Sequence, residues 1–182
     1  MFTTELEMST MFERFLKDNF GNAYMKECQG LFGRPDFVLY SRQNNDYSII
    51  SFELKLKDWK GAAKQAFRYK SFSNVSYVVI AGENAKAALN NIALFEKYKI
   101  GLARFDNNNR FEIIYKPRTG IPYSENLNQK LVKTIGSCRK KAKTSIFLSK
   151  TNQLPKQKNA HLTLLPSKQR PESDVHTRQT KP

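Results

Sequence analysis

The chain has 182 residues, a length that favours one domain with a core of its own. Its 31 lysines and arginines outnumber its 16 aspartates and glutamates, which gives a net charge of +15. So large an excess argues against a protein that mimics an acidic ligand. It favours a polyanionic partner, most often a nucleic acid.

The compartment can be inferred from what the sequence lacks. No charged and then apolar signal sequence opens the chain, because Glu5, Glu7 and Glu13 interrupt its first residues. No run reaches the roughly 18 apolar residues that a membrane span needs. The two cysteines, Cys28 and Cys138, are too few for a disulfide framework. We therefore expect a cytoplasmic protein without a membrane partner.

Charged and aromatic residues are distributed unevenly along the chain. Residues 1–123 carry 18 basic and 13 acidic residues, net +5, and 21 of the 22 aromatic side chains. Residues 124–182 carry 13 basic and 3 acidic residues, net +10. A segment that buries little apolar surface cannot offset the entropy of ordering its chain. We predict a folded domain over 1–123, an accessory helix over 124–136 and a basic disordered tail over 137–182.

The first predicted element is a helix over 4–19, which Gly21 ends. Its apolar stripe consists of Leu6, Phe12, Phe15 and Leu16. A weak strand over 23–28 and a second strand over 36–40 follow, and residues 44–46, Asn-Asn-Asp, predict a turn. The third strand, over 47–57, alternates clearly. One face carries Ile50, Phe52, Leu54 and Leu56, and the other carries Ser51, Glu53, Lys55 and Lys57.

Helices and strands alternate in the next part of the chain. Asp58 predicts the start of a helix over 59–72, with Trp59, Ala62, Ala63, Ala66 and Phe67 facing inward. The continuous apolar run over 75–81 is typical of a strand that is covered on both faces. A helix over 84–99 should follow, with Ala85, Ala88, Leu89, Ile92 and Phe95 facing inward. Strands over 100–105 and 111–115 come next, and then a helix from Ser124 that Gly136 ends.

This order of elements predicts an α/β protein with a mixed β-sheet that helices flank. Three early strands with short connections form an antiparallel meander. The later strand–helix–strand unit should be a right-handed parallel crossover.

The candidate chemistry lies on the polar face of the third strand. Glu53 and Lys55 are two residues apart, so their side chains leave the same face. Asp36 follows Pro35 at the start of the neighbouring strand of the meander, and can therefore lie beside Glu53. Two adjacent carboxylates favour a cation between them, and hard oxygen ligands suit Mg²⁺ or Mn²⁺. An ammonium group at Lys55 can orient a water molecule and neutralise charge that develops on a phosphate.

These residues resemble the signature of a known nuclease superfamily. The pair Pro35-Asp36 and the triplet Glu53-Leu54-Lys55, in a helix–strand–strand–strand–helix–strand frame over about 5–105, resemble PD-(D/E)XK nucleases. That superfamily includes restriction endonucleases, archaeal-type Holliday junction resolvases and phage-type exonucleases. The resemblance implies a restriction-endonuclease-like fold with an α-β-β-β-α-β core. It also implies a metal held by Asp36, Glu53 and the Leu54 carbonyl, and a nucleophilic water served by Lys55.

Two further features agree with this resemblance. Family members often carry a glutamate on the first helix, and Glu13 matches the resolvase pattern, with Glu5 as its competitor. Gln65 and Tyr69 lie one helical turn apart and resemble the Gln-x-x-x-Tyr signature of the exonuclease branch. In that branch the pair contacts substrate or braces the site.

Several cations near these motifs are candidates for binding substrate. Lys57 continues the polar face of the third strand, and Lys64 and Arg68 lie beside Gln65. A basic run over 139–143 would either hold phosphates nonspecifically or be a solvated part of the tail.

The sequence thus supports three functional hypotheses. The first is an enzyme, a Mg²⁺- or Mn²⁺-dependent endonuclease or exonuclease that hydrolyses DNA. The second is a catalytically inactive nucleic-acid-binding protein of the same fold. The third is a regulatory or interaction subunit whose basic tail binds another polyanion. The small domain leaves a homodimer or a larger complex open in each case.

Overall fold

A computed structural model describes residues 1–29, 31–43 and 46–141. Its first half contains α1 (Glu5–Phe20), β1 (Tyr24–Lys26), β2 (Phe37–Gln43), β3 (Asp46–Lys55), α2 (Trp59–Tyr69) and β4 (Val75–Ala81). A 3₁₀ turn (Gly82–Asn84) leads to α3 (Ala85–Leu89), α4 (Ile92–Tyr98), β5 (Gly101–Phe105), β6 (Phe111–Tyr115) and α5 (Glu125–Lys141). The first six elements follow the predicted α-β-β-β-α-β order. In the described part of the chain, no helix combines the length and apolar character of a membrane span.

The six strands form one mixed sheet in the order β1-β2-β3-β4-β5-β6. β1, β2 and β3 pair antiparallel, which confirms the predicted meander. β4 pairs parallel with both β3 and β5, so α2 and then α3 with α4 connect parallel strands. β6 returns antiparallel to β5. The mixed α/β architecture predicted from the order of elements is confirmed.

Helices cover both faces of this sheet. On one face, α1 inserts Phe12 into a cluster of aromatic rings. The centre of the Phe12 ring lies 5.5 Å from that of Phe37, 5.4 Å from that of Phe52 and 5.3 Å from that of Phe105. On the other face, α2 packs its alanines against Val78 and Ile80 of β4. The last helix of the described residues, α5, also buries Leu131 and Ile135 on that second face.

The ends of α1 follow from two local signals. The Thr4 side chain accepts a hydrogen bond from the Glu7 backbone N–H, and Gly21 ends the helix with a φ of 62°. One predicted core residue of this helix is wrong. Leu6 is exposed and Met8 is buried, because Leu6 lies roughly 120° around the helix from Phe12.

Four further predictions about helices are wrong. Phe67 is exposed, because it lies roughly 100° around α2 from the buried Ala66. The predicted helix over 84–99 breaks after Leu89, which is exposed, and the Asn91 amide donates to the Ala87 carbonyl at the break. Gly136 does not end α5, since a glycine stops a helix only where the backbone turns left-handed. Residues 137–141, predicted as the start of the disordered tail, continue α5. Residues 44–45 of the predicted turn and residues 142–182 of the predicted tail lie outside the described residues.

Candidate active site

The antiparallel register of β2 and β3 brings the two predicted carboxylates together. Phe37 of β2 pairs with Phe52 of β3. Because the strands are antiparallel, the residue before Phe37 and the residue after Phe52, Asp36 and Glu53, lie opposite each other. Opposite residues of an antiparallel pair project from the same face of the sheet. The Asp36 carboxylate also accepts a hydrogen bond of 2.7 Å from the Leu54 backbone N–H. This bond fixes Asp36 at the end of the ladder, directly beside the Glu-x-Lys triplet.

Glu53 is buried in an environment that disfavours its charge. The residue is 2% exposed, and burial is the main reason that its pKa rises to about 7, with the nearby charge of Asp36 as the second. Hydrogen bonding to Tyr69 and the Lys55 charge offset part of that rise. Burial also raises the pKa of Asp36, against the opposing effects of the Leu54 N–H and Lys55. Both carboxylates are therefore costly to ionise together unless a further cation shares the site.

Lys55 supplies one positive charge to this site. Its ammonium lies 3.1 Å from a carboxylate oxygen of Glu5 and 3.6 Å from one of Glu53. Burial acts to lower the pKa of Lys55, but the hydrogen bond with Glu5 and the surrounding carboxylates outweigh it and raise the pKa. Lys55 is thus held as a cation between the first helix and the carboxylate of β3.

The structure brings Glu5, and not Glu13, to Lys55. Glu13 accepts a hydrogen bond from the Tyr24 hydroxyl at 3.2 Å and pairs with Lys26 at 2.8 Å, next to edge strand β1. Glu5 lies in the first turn of α1, which passes the carboxyl end of β3, and Glu13 lies two turns later. The periodicity of apolar residues predicts which face of a helix is buried. It does not predict which end of a strand each turn of the helix passes. Of the two candidates on this helix, Glu5 therefore contacts Lys55 and Glu13, the one that the sequence favoured, does not.

Tyr69 of α2 connects the carboxylate of β3 to the loop before β2. Its hydroxyl lies 2.6 Å from a Glu53 oxygen and 3.0 Å from the Arg34 carbonyl oxygen. Gln65, one turn earlier on α2, is half-buried. When Glu53 is ionised, it accepts a hydrogen bond from the Tyr69 hydroxyl. When Glu53 is protonated, it can donate to the tyrosine oxygen, and Tyr69 then donates to Arg34. Because Tyr69 is buried, it can brace the site but has no surface for substrate.

A glycine lets the loop before Asp36 reach Tyr69. Gly33 has a φ of +106°, and a Cβ atom there would lie 2.7 Å from Cε1 of Tyr69. A larger residue would thus be strained in its backbone and would also collide with the ring. No signal in the sequence points to this role, because a glycine in a loop is equally expected at a turn.

The remaining predicted residues lie around the site rather than within it. Lys57 is exposed and lies beyond the end of β3, so it does not continue the strand face as predicted. Lys64 and Arg68 are exposed on α2, and the Arg68 guanidinium lies 5.9 Å from the centre of the Phe32 ring. These three cations are open to solvent and could reach phosphate groups.

The metal prediction can be tested against the chemistry of the side chains. Within the described residues, no group of three or more His, Cys, Asp or Glu side chains is arranged to hold a metal ion. The predicted ligand set contains only two carboxylates, Asp36 and Glu53, together with the Leu54 carbonyl. Both carboxylates have raised pKa values that a divalent cation would lower again, and their oxygens are hard ligands. The donors therefore fit Mg²⁺ or Mn²⁺ with water completing the coordination.

Comparisons with known proteins add little to this geometry. No protein-family model and no curated protein matches the sequence. The solved structure of restriction endonuclease FokI bound to DNA is similar, with a TM-score of 0.37 and 14% sequence identity. The similarity covers 58% of this chain and 23% of the length of that enzyme. A likeness this slight carries no argument about function.

Proposed function

We propose that this protein is a nuclease that uses Mg²⁺ or Mn²⁺ to hydrolyse phosphodiester bonds in DNA. The observation that carries the proposal is the meeting of Asp36 and Glu53 at the ends of neighbouring strands, with the Lys55 ammonium 3.6 Å from Glu53. The resemblance of Pro35-Asp36 and Glu53-Leu54-Lys55 to the PD-(D/E)XK signature supports the same reaction.

Each residue of the site has a role in this proposal. Asp36, Glu53 and the Leu54 carbonyl would hold the metal, which when bound supplies positive charge to the phosphate and acidifies water. Lys55 orients the attacking water and stabilises negative charge on the phosphate oxygens. Glu5 is a positioning residue that holds the Lys55 side chain. Tyr69 keeps the Glu53 carboxylate in one orientation through their 2.6 Å hydrogen bond.

DNA is the proposed substrate because of the charge of the chain and the exposed cations beside the site. The net charge is +15, and Lys57, Lys64 and Arg68 are all exposed near or on α2. Contacts of these cations to the phosphate backbone would position the DNA without reading its sequence. Binding should therefore weaken steeply as the salt concentration rises.

Cleavage assays on labelled linear, nicked, branched and single-stranded DNA test this function. We expect products with Mg²⁺ or Mn²⁺, none with EDTA, and none from Asp36→Asn. Asp46→Asn is the matched control, because Asp46 is an exposed carboxylate at the opposite end of β3. Calorimetry should show metal binding to the wild type and to Asp46→Asn but not to Asp36→Asn.

The negative outcomes separate the rival hypotheses. Equal metal binding by Asp36→Asn and the wild type would remove the site as proposed. A wild type that binds DNA at moderate salt but cleaves no DNA form with any divalent metal would be a binding protein of this fold. If it bound no DNA either, a regulatory or interaction subunit would be the remaining hypothesis.

A further inference from the structure

Three aromatic side chains meet at the surface beside α2. Phe67 of α2, Tyr98 of α4 and Tyr123 of the loop before α5 are 41%, 40% and 64% exposed. The Phe67 ring centre lies 5.4 Å from that of Tyr98 and 6.3 Å from that of Tyr123, with the rings inclined at 67° and 61°. We call these three residues the aromatic patch.

A buried lysine builds the aromatic patch from its three separate elements. Lys70 is 8% exposed, and its ammonium donates to the carbonyl oxygens of Tyr98 at 3.1 Å and Lys99 at 3.2 Å. The same ammonium lies 5.0 Å from the centre of the Tyr123 ring. The Tyr123 backbone N–H also donates to the Lys70 carbonyl at 3.0 Å. The rings are therefore held in place while they remain exposed.

Exposed lysines accompany the aromatic patch along α2 and α4. Lys64 lies one turn before Phe67 on α2, and Lys60 lies one turn before Lys64, so exposed lysines lead from the start of α2 towards the patch. Lys97, whose ammonium lies 5.6 Å from the Tyr98 ring centre, adds a further cation on α4. Exposed rings beside a line of positive charge are the combination that binds unpaired bases and the phosphates between them.

We infer that the aromatic patch binds single-stranded nucleic acid, with bases stacked on Tyr123 and Phe67 and phosphates along Lys64 and Lys60. Duplex is disfavoured as the occupant, because its bases are already stacked inside the helix and offer no face to a protein ring. A protein partner is disfavoured because the cores of protein interfaces are depleted in lysine. Residues 142–182 of the same chain are disfavoured because their 8 basic and 2 acidic residues, net +6, repel the lysines beside the patch.

This inference goes beyond the proposed function and does not depend on cleavage. A catalytically inactive protein would still bind an unpaired strand through the aromatic patch. In an active nuclease, binding of single strands by the aromatic patch would direct cleavage towards DNA with single-stranded segments.

Fluorescence anisotropy of the full-length protein in EDTA tests the inference. The probes are labelled oligo(dT) and oligo(rU) of about 20 nucleotides and a duplex of the same length, which exceed the footprint of one small binding module. We expect Tyr123→Ala and Phe67→Ala each to weaken oligo(dT) binding about fivefold or more, the lower end for one stacked base. Duplex binding should change by less than about twofold, since phosphate contacts dominate it. The oligo(rU) arm shows whether the strand is DNA or RNA.

Further variants separate stacking from other modes of binding. Tyr123→Leu keeps an apolar side chain without a flat ring, so it should bind as weakly as Tyr123→Ala. Lys64→Ala should reduce the salt slope of binding by about 0.7, and the aromatic variants should leave that slope unchanged. Leu89→Ala is the matched control, because Leu89 is also 41% exposed but is not part of the aromatic patch. Its affinity should equal that of the wild type.

Three results would overturn the inference. The first is wild-type affinity for oligo(dT) in both Tyr123→Ala and Phe67→Ala. Phe67→Ala should fold normally, because Phe67 lies in a regular helix where alanine is well tolerated. The second is full oligo(dT) binding by Tyr123→Leu, which would show that no base needs to stack on the Tyr123 ring. The third is an equal loss of affinity for duplex and single strand. A wild type that cleaves nothing but binds oligo(dT) through these rings would refute the proposed function and leave the inference intact.

Discussion

The two faces of β3 are equally buried and chemically opposite. Phe52 and Leu54 are 5% and 2% exposed on the face that α1 covers, and Ser51 and Glu53 are 0% and 2% exposed on the other. The first pair lies in the aromatic core. In the second, the Ser51 hydroxyl has no hydrogen-bond partner among the described residues, and the pKa of Glu53 is raised. One face of a single strand thus stabilises the fold, and the other carries polar groups at a cost, as functional sites commonly do.

Truncating a side chain on the apolar face of β3 should have the largest effect on stability. Phe52→Ala should lower the free energy of unfolding by about 3 to 5 kcal/mol, because it leaves a cavity among packed rings. Its neighbour Ser51→Ala should change stability by less than about 1 kcal/mol, because the lost hydroxyl has no partner in the described residues. Urea unfolding of both variants measures the difference. Equal losses would mean that the two faces contribute alike.

On the polar face, Lys55 should matter for activity rather than for binding. Lys55→Ala should slow single-turnover cleavage by about 10²- to 10³-fold, since a charge directed at the transition state is worth several kcal/mol. Lys57→Ala, two residues further on and exposed, should lose much less. DNA binding should be nearly unchanged in both, because one lost phosphate contact alters the salt slope by only about one unit. An inactive Lys57→Ala beside an active Lys55→Ala would contradict the assignment.

Glu53 should make stability depend on pH when no metal is present. Its folded pKa of about 7 lies above the ordinary value of 4.5, so the unfolded chain loses the proton first and the wild type loses stability as the pH rises between those values. Glu53→Gln cannot titrate. In EDTA its stability relative to the wild type should therefore improve by about 3 kcal/mol between pH 4 and pH 8.

A control of opposite sign is available on α1. The hydrogen bond from Lys26 lowers the pKa of Glu13, so wild-type Glu13 favours the folded state above its ordinary pKa. Glu13→Gln should therefore lose stability relative to the wild type as the pH rises. If the stability difference between Glu53→Gln and the wild type did not change with pH, the pKa of Glu53 would not be raised in the folded protein.

The smallest effect should separate the two glutamates of α1. Glu5→Gln should slow cleavage about two- to tenfold, because one hydrogen bond to the Lys55 ammonium weakens, and Glu13→Gln should not slow it. The pKa of Lys55, followed by NMR, should fall in Glu5→Gln, since Glu5 helps to raise it. A slower Glu13→Gln with an unchanged Glu5→Gln would restore the original prediction for this helix.

Much of the fold could be predicted because its signals are local. The alternation of β3, the apolar run of β4 and the Asp58 cap of α2 each identify an element with little help from the rest of the chain. The errors have a shared cause. Leu6, Phe67 and Leu89 are apolar residues beside a helical stripe, and apolar character alone does not show whether a partner surface exists at that angle.

The site divides in the same way between the sequence and the tertiary structure. The sequence by itself determined the neighbourhood of Asp36, Glu53 and Lys55, because a two-residue period and a short antiparallel connection leave few other arrangements. Only the tertiary structure decided that Glu5 reaches Lys55, that Gly33 admits Tyr69, and that Phe67, Tyr98 and Tyr123 meet at the surface. These contacts join residues from separate elements. Their positions depend on how helices cross the sheet, which the packing of the whole core sets.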